Sequence, residues 1–389
     1  MRIAEVSAFY QYSVGKIMRD IKKYIDNNTN DVCEIFYARG KEVNIKGVTK
    51  IASNLSIYIN ALIARLLDND GFCFKGVTKK LINELKKFNP DVVHIHCLHG
   101  YYLNVELLFK YFKDNPKIKV VWTMHDAWAV TGHCCYFNKA NCNKWEKQCE
   151  KCPLKSEYPK SNFIDNSKRN YIKKKEIFTS LNSEQMIIVT PSNWIKDIFK
   201  KSYMNKYEII NIYNGIDLNV FNTIGKPLNK NNQKKKLLCV ASVWDSRKGL
   251  DTIIELATKI DDSWEIIIIG KILNKIKMPK NIIHINRTNN QETLKHYYQE
   301  CDVFFNPTTD DNYPTVNLEA QACGAKVLTF DTGGCKETNC GNLYLCSKDE
   351  FVNIKIEELY KNKLNFIDND RLSIIRMIKD YCNIFRRIF

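Results

Sequence analysis

Two carboxylates, Asp311 and Glu319, separated by seven residues, flank a stretch that reads as a strand, a loop and the start of a helix. Val303 to Phe305 form the apolar run and a polar turn follows. Val316, Leu318, Ala320 and Ala322 then enter a short helix that Gly324 can end. Asp311 and Asn312 are good capping residues, and Pro314 suits a first helical turn, where a backbone donor is not needed. On that reading the amides of Thr315, Val316 and Asn317 point outwards. Outward N–H groups at the positive end of a helix dipole form an anion site, and phosphate is the usual guest.

Other phrases carry complementary chemistry. Lys248, in the stretch Ala241 to Asp251 after a predicted strand, is placed to meet a diphosphate, with Arg247 as a second cation beside it. A cation there stabilises the charge that grows on a leaving phosphate. His125 stands at the end of the next strand-like phrase, Trp122 to Trp128. Asp91 to Gly100 holds His94, His96 and His99. No nearby carboxylate set completes a catalytic zinc site, so a strand whose last side chains line the site is predicted instead. The loop Ser13 to Ile17, with Gly15, follows the first strand and opens the first helix.

A thiol cluster follows His125. His133-Cys134-Cys135, Cys142 and the Cys149-Glu150-Lys151-Cys152 pair have the composition of a structural zinc site. Cys134, Cys142, Cys149 and Cys152 are the preferred ligands, with His133 or Cys135 able to replace Cys134. A zinc clip would order a long loop of little regular pattern. Free thiols in a mobile loop are the alternative.

The elements that must position these groups alternate between strand and helix. Ile3–Phe9, Cys33–Ala38, Val92–Ile95, Ile118–Thr123 and Met186–Thr190 read as strands, with helices over Ile17–Ile25, Leu81–Phe88 and Leu103–Phe112. The plan repeats in Lys236–Ala241, Trp264–Ile269, Ile282–Ile285, Val303–Phe305 and Lys326–Phe330. Strands separated by helices imply parallel sheets covered on both faces. The fold class predicted is therefore α/β, with two doubly wound domains over 1–206 and 236–369, a hinge over 207–235 and a terminal helix over 370–389. Ligands of such sheets bind beyond the carboxyl ends of the strands, so a cleft between the two is the expected active site.

A chain of 389 residues suits about two domains. It has no bilayer-spanning apolar run and no secretion-signal layout at the start, which predicts a cytoplasmic protein with its fifteen cysteines reduced. The formal charge of +16 is spread over both halves. It suits a nucleotide diphosphate, an anionic membrane surface or nucleic acid, or simply a solvated lysine-rich surface. The tail Ile384 to Phe389 is apolar and cationic and could rest on an anionic inner leaflet, or else pack as an ordinary terminal helix.

The Asn306 to Gly324 stretch, with Asp311 and Glu319, resembles the donor-binding segment of retaining GT-B glycosyltransferases of family 4, and Asp91 to Asn104 resembles the acceptor side of their colanic-acid type. Thr190-Pro191-Ser192-Asn193-Trp194 and Asn214-Gly215-Ile216-Asp217 match the same family, and the likeness runs to at least Glu337. The resemblance implies two Rossmann-like domains facing across a cleft, the first with the Cys-rich insertion on the acceptor side, the second binding a UDP- or GDP-sugar. It implies transfer to a saccharide acceptor, lipid-linked, in bacterial surface polysaccharide assembly, with no metal in the chemistry. Asp311 then holds donor hydroxyls, Glu319 the ribose, Thr315, Val316 and Asn317 the diphosphate, His125 the donor sugar, Gly15 the phosphates, and Arg287 lies near the base. Two positions depart from the pattern: Asp311 replaces a glutamate, and Val243 stands where an arginine usually partners the lysine. These departures leave open a nucleotide-sugar epimerase or an inactive relative. A zinc-containing nucleic-acid-binding protein is the rival from another class, although the paired carboxylates and dispersed lysines argue against nucleic acid.

Overall fold

The computed structural model describes residues 1–225, 234–273, 276–288, 290–348 and 352–389. The part of the expected hinge over 226–233, and Asn289 in the phrase after Arg287, lie outside the described residues. Two compact units emerge, Met1–Ile212 with Ile378–Phe389, and Tyr213–Met377.

The first unit holds the strands β1 (Arg2–Phe9), β2 (Val32–Arg39), β3 (Val48–Lys50), β4 (Val92–Ile95), β5 (Lys119–Thr123), β6 (Met186–Thr190) and β7 (Glu208–Asn211). They form one parallel sheet in the order β3-β2-β1-β4-β5-β6-β7. Its helices are α1 (Tyr12–Asn28), α2 (Asn54–Leu67), α3 (Lys75–Phe88), α4 (Val105–Asp114), α5 (Ser167–Phe178) and α6 (Asn193–Lys201). Side-chain caps set several of these starts, Ser53 accepting from the Ser56 amide at 3.1 Å and Asn104 from that of Leu107 at 3.0 Å. Strands covered on both faces are largely apolar, as in β6, which is wholly buried. Phe109, Trp122 and Phe178 meet in the core, the Phe178 ring centroid lying 4.9 Å from each of the other two.

The second unit holds β8 (Lys235–Trp244), β9 (Trp264–Ile272), β10 (Ile282–Ile285), β11 (Val303–Asn306), β12 (Lys326–Phe330) and β13 (Leu343–Cys346). This sheet is also parallel, in the order β10-β9-β8-β11-β12-β13. The helices are α7 (Leu250–Ala257), α8 (Gln291–Glu300), α9 (Thr315–Ala322), α10 (Val352–Lys361), α11 (Asn369–Leu372) and α12 (Ile374–Ile388), with α12 belonging to the first unit from Ile378 onwards. Strand order reverses between β1 and β4 in one sheet and between β8 and β11 in the other. Chain leaving such neighbours diverges to opposite faces and opens a crevice at the carboxyl ends.

Three strands differ from the sequence reading. The short strand β3 and the edge strands β7 and β13 were not expected, and β7 falls in what read as hinge. Ile209 and Ile210 pair there with Ile188 and Val189. Helix α2 was also missed, because its outward face carries Leu55, Tyr58, Leu62 and Leu66 while Asn60 is buried, which blurs the apolar period. Most apolar side chains of the tail pack inward as in an ordinary terminal helix, while Arg386, Arg387 and Phe389 are exposed. Ile384, Phe385 and Ile388 are buried, Phe385 fully, with its ring 5.3 Å from that of His94, and Arg387 pairs with Glu208 at 2.8 Å. No helix among the described residues is long and apolar enough to cross a membrane.

This packing predicts that Phe385→Ala lowers the unfolding free energy by about 3–5 kcal/mol, measured as a reduced urea midpoint. A midpoint equal to wild type would mean that the helix end is not anchored there.

Candidate functional site

In the second unit the switch between β8 and β11 brings two loops together. The turn after β8 ends at Gly249, whose φ of +79° favours glycine, and a Cβ there would lie 2.2 Å from the Pro307 carbonyl oxygen. The turn therefore packs directly on the loop after β11. The Thr309 amide donates to the Arg247 carbonyl at 2.8 Å, and Arg247 Nη1 donates to the Asp310 carbonyl at 2.8 Å. Lys248 Nζ meets Asp311 Oδ2 at 2.5 Å, with side chains 22% and 13% exposed. Burial opposes the charge of Asp311, but Lys248 and then Arg247 outweigh it and hold the carboxyl below its usual range. The loop after β12 closes the arrangement from the other side, the Gly334 amide donating to the Asp311 carbonyl at 3.1 Å.

Three of the sequence-predicted residues, Arg247, Lys248 and Asp311, thus converge at the entry to α9. The start of that helix differs from expectation. Pro314 is its N-cap, outside the first turn, and no side chain caps it, so Asp311 and Asn312 do not play that part. The Asn317 amide donates to the Pro314 carbonyl at 3.1 Å, and its side chain is buried between Asn306 and Thr338, at 2.9 and 3.0 Å. Asn317 is therefore a structural residue here and no outward donor. Thr315 and Val316 are half-buried on the first turn, where no carbonyl inside the helix precedes them. Glu319 lies one turn further, accepting from the buried Tyr298 hydroxyl at 3.1 Å. That partner was not foreseen. Arg287 is exposed beyond β10 and makes no part of this contact set among the described residues.

In the first unit the corresponding switch lies between β1 and β4. Gly15 sits in the first turn of α1, where a Cβ would lie 1.9 Å from the Tyr10 carbonyl oxygen. Side by side in register, Glu5 of β1 and His94 of β4 are both fully buried. Glu5 Oε1 meets His94 Nδ1 at 2.9 Å and Oε2 meets His96 Nε2 at 2.8 Å. His96 Nδ1 meets His125 Nε2 at 2.9 Å, and the two rings are stacked. His94 Nε2 meets Thr123 Oγ1 at 2.8 Å, which meets the Tyr381 hydroxyl of α12 at 3.1 Å. Burial opposes the charge on Glu5, yet the two imidazoles hold its carboxyl down to about 2. Burial, then His94, brings His96 down to about 4, and burial, then His96, lowers His125 well below its usual value. His94 and His96 therefore do not line an open surface as their spacing suggested. They join a buried acid, and only His125 of this chain is half-exposed. Glu5 was the missed residue, although a carboxylate flanked by apolar residues in the strand Arg2–Phe9 was a visible signal.

Beside it, His99 Nε2 meets Asp126 Oδ2 at 2.8 Å and Nδ1 meets the Tyr158 hydroxyl at 3.0 Å. Burial works against the imidazolium, but Asp126 raises the His99 value well above normal. Two groups of three ligand atoms within 4.8 Å occur among the described residues, Glu5 with His94 and His96, and Cys97 with His99 and Asp126. In the first, both carboxylate oxygens are already taken by imidazole nitrogens.

The four candidate zinc ligands form no such group. Cys134 and Cys152 are in thiol contact, and the Cys134 S–H donating to it lowers the Cys152 value. Cys149 is buried and Cys142 half-buried. Other anchors order the loop: Phe137 stacks on Trp145 at 5.3 Å, His133 bonds Asp68 at 2.5 Å, and the buried Lys174 ammonium donates to the Trp128 and Thr131 carbonyls at 2.9 and 3.2 Å. A separate cavity of about 400 Å³ opens by α2, between Arg39, Tyr58, Leu62, Arg65 and Tyr101.

Residues 68–220 match the family model described as Glycosyltransferase Family 4, and residues 221–374 match Glycosyl transferases group 1. The chain is 25% identical, over 76% of its length and 72% of the relative's, to a putative colanic acid biosynthesis glycosyl transferase, WcaC, of Escherichia coli K12. A shorter match, 25% identical over 29% of this chain and 30% of the other, is to the N,N'-diacetylbacillosaminyl-diphospho-undecaprenol alpha-1,3-N-acetylgalactosaminyltransferase of Campylobacter jejuni. The solved structure of Anabaena HepE with UDP and glucose aligns over all of both chains with a TM-score of 0.66 at 12% identity. The fold is accordingly that of the GT-B glycosyltransferases, and the chain carries a family 4 and a group 1 domain.

The His99–Asp126 pair makes a pH prediction. A raised folded value means that the pair's contribution is complete below the unfolded value, about 6.5, and is lost as pH rises through the folded value. His133 is raised in the same sense, through its bond to Asp68 against the effect of burial. Wild-type unfolding free energy should thus decline on the alkaline side, and Asp126→Asn should make the decline shallower in urea titrations at stepped pH. Parallel curves for the two proteins would exclude the pair as a source.

Proposed function

We propose that the chain is a retaining glycosyltransferase that moves a sugar from a UDP- or GDP-linked donor to a lipid-linked saccharide in bacterial surface polysaccharide assembly. One observation carries this reading: Lys248 and Asp311 pair where β8 and β11 diverge, at the start of α9. The ammonium has three donors and spends one on Asp311, leaving others for a diphosphate. Asp311, kept ionised, accepts donor sugar hydroxyls, and Glu319 accepts from the ribose. Thr315 and Val316 supply amides to the diphosphate. Arg247 serves as the second cation in place of the arginine that Val243 lacks. Support for the donor and acceptor classes comes from the UDP and glucose of HepE and the diphospho-undecaprenol in the Campylobacter relative's name.

In the reaction, the bond from the sugar's anomeric carbon to the diphosphate oxygen breaks. The acceptor oxygen bonds to that carbon on the same face, and the leaving diphosphate takes the acceptor's proton. Lys248 stabilises the charge this leaves on the diphosphate, and no metal enters the step. His125 positions a donor hydroxyl. Arg39 and Arg65, beside the apolar outward face of α2, would hold the acceptor's lipid-linked diphosphate.

Lys248→Ala and Asp311→Ala should lower kcat by about 100- to 1,000-fold, and Glu319→Ala should weaken nucleotide binding by about 10- to 100-fold. Arg65→Ala should raise KM for the acceptor and leave donor binding unchanged. Thermal-shift screening of UDP- and GDP-sugars identifies the donor for these assays. Wild-type transfer rates in the first three variants would end the assignment.

We also propose that the Cys134–Cys152 contact is the nucleus of a structural zinc site completed by Cys142 and Cys149. Protein purified without chelator should contain about one zinc per chain. Much less than that, by elemental analysis, refutes it.

A further inference from the structure

Helix α2 is built inside out. Its buried residues are Ile57, Asn60 and Ala64, one of them polar, whereas Leu55, Tyr58, Ile59, Leu62 and Leu66 face solvent, Leu55 being 68% and Tyr58 69% exposed. A helix on the surface of a globular unit ordinarily turns its apolar stripe to the core. Leu55, Ile59, Leu62 and Leu66 follow one another at spacings of four, three and four, so they form a continuous ridge and not scattered side chains. Contiguous exposed apolar surface of this kind marks a place where something docks. Two neighbouring segments extend it. The Phe74 amide, at the entry to α3, donates to Asn60 Oδ1 at 3.3 Å, and the Asn162 amide donates to the Arg65 carbonyl at 2.8 Å. Each segment carries an exposed ring, Phe74 in one and Phe163 in the other.

Charge decides what docks there. No acidic residue occurs from Val43 to Leu67, and Asp68, which ends the helix, is buried against His133. Cations border the ridge instead. Arg65 stands on the helix itself, and Lys50 Nζ donates to Asn54 Oδ1 at 3.0 Å. Lys80 Nζ donates to the Lys50 carbonyl at 3.2 Å, and Lys75 and Lys79 are exposed on the same helix, α3. Lys155 Nζ donates to the Phe163 carbonyl at 3.3 Å, while the exposed acid of that loop, Glu157, is paired with Lys139 at 3.5 Å. An apolar ridge with a cationic border matches the acyl chains and headgroups of an anionic bilayer. A second copy of the chain would set like charges against one another across the same face.

We propose that α2 lies flat in the surface of an anionic phospholipid bilayer, with Leu55, Ile59, Leu62 and Leu66 among the acyl chains and the bordering lysines among the headgroups. The cavity of about 400 Å³ lined by Arg39 and by Tyr58, Leu62 and Arg65 of α2 then opens at headgroup level. An acceptor diphosphate reaches Arg39 and Arg65 while its lipid stays in the membrane. That consequence rests on the transferase reading; the docking itself rests on α2 and its cationic border.

Co-sedimentation with vesicles tests the docking. The full chain should bind vesicles of phosphatidylcholine mixed with phosphatidylglycerol, bind phosphatidylcholine alone far more weakly, and lose affinity as salt is raised. The triple variant Leu55→Gln, Ile59→Gln, Leu66→Gln changes no residue that lines the cavity and should lower the partition coefficient by about 100-fold or more. The double variant Lys75→Gln, Lys79→Gln should lower it by about 30-fold. Both should keep the urea midpoint of wild type. Wild-type protein that stays in the supernatant, or that binds neutral and anionic vesicles alike, overturns the proposal, as does undiminished binding by the triple variant. Should the triple variant unfold, undiminished binding by the lysine variant overturns the proposal by itself. Analytical ultracentrifugation without vesicles addresses the other occupant: a wild-type dimer that the triple variant reduces to a monomer would assign the ridge to a second copy and refute the lipid. Vesicle binding through α2 in a chain that transfers no sugar would refute the transferase reading and leave the docking surface standing. Transfer to a detergent-solubilised acceptor by a chain that ignores vesicles would do the reverse.

Discussion

Both sheets reverse their strand order once, between β1 and β4 and between β8 and β11, and the interacting charged groups described above gather near those two places. A parallel sheet covered by helices has nowhere to present polar groups except the carboxyl ends of its strands. Where successive connections go to the same face, the helices close over those ends; where the order reverses, they part. Gly15, His96 and the turn around Gly100 gather at one reversal, and Arg247, Lys248 and Asp311 at the other. Residues distant in the sequence become neighbours because strand order, and not chain order, decides proximity.

The two places solve opposite electrostatic problems. Around α9 the charges are partly exposed, and cations from one loop keep a carboxylate of the next ionised. Around β1 the charge is fully enclosed, and a single carboxylate is balanced by contacts with two imidazoles. Low dielectric makes the second arrangement intolerant of an unmet donor or acceptor. That intolerance accounts for its extension through Thr123 to Tyr381, on the helix that returns from the end of the chain.

Much of this was legible in the sequence because apolar runs and turn residues mark parallel strands clearly. The run Val303–Phe305 and the apolar residues from Val316 to Ala322 located β11, the loop after it and α9 without structural help. Elements at sheet edges were harder: β3, β7 and β13 are three or four residues long and half-exposed in part, so their apolar signal is weak. The helix start misled for a different reason. Asp311 looks like a cap by residue type, but pairing with Lys248 draws its carboxylate to another loop. Glu5 was overlooked because its significance depends on partners some 90 residues away, and residue type alone cannot show what a buried acid faces.

The close approach of Gly249 to the Pro307 carbonyl, with Gly333 similarly close to the Asp311 carbonyl at 2.0 Å for a hypothetical Cβ, bears on motion. Three backbone segments interlock at this end of the sheet with no side chain between them, and each holds the next by amide hydrogen bonds. Displacing one would require displacing all. Side-chain rotamers change on the picosecond-to-nanosecond scale and loops more slowly, so the freedom at this end belongs to the Lys248 and Asp311 side chains more than to the backbone around them. This end of the sheet is a fixed frame that carries one mobile ion pair.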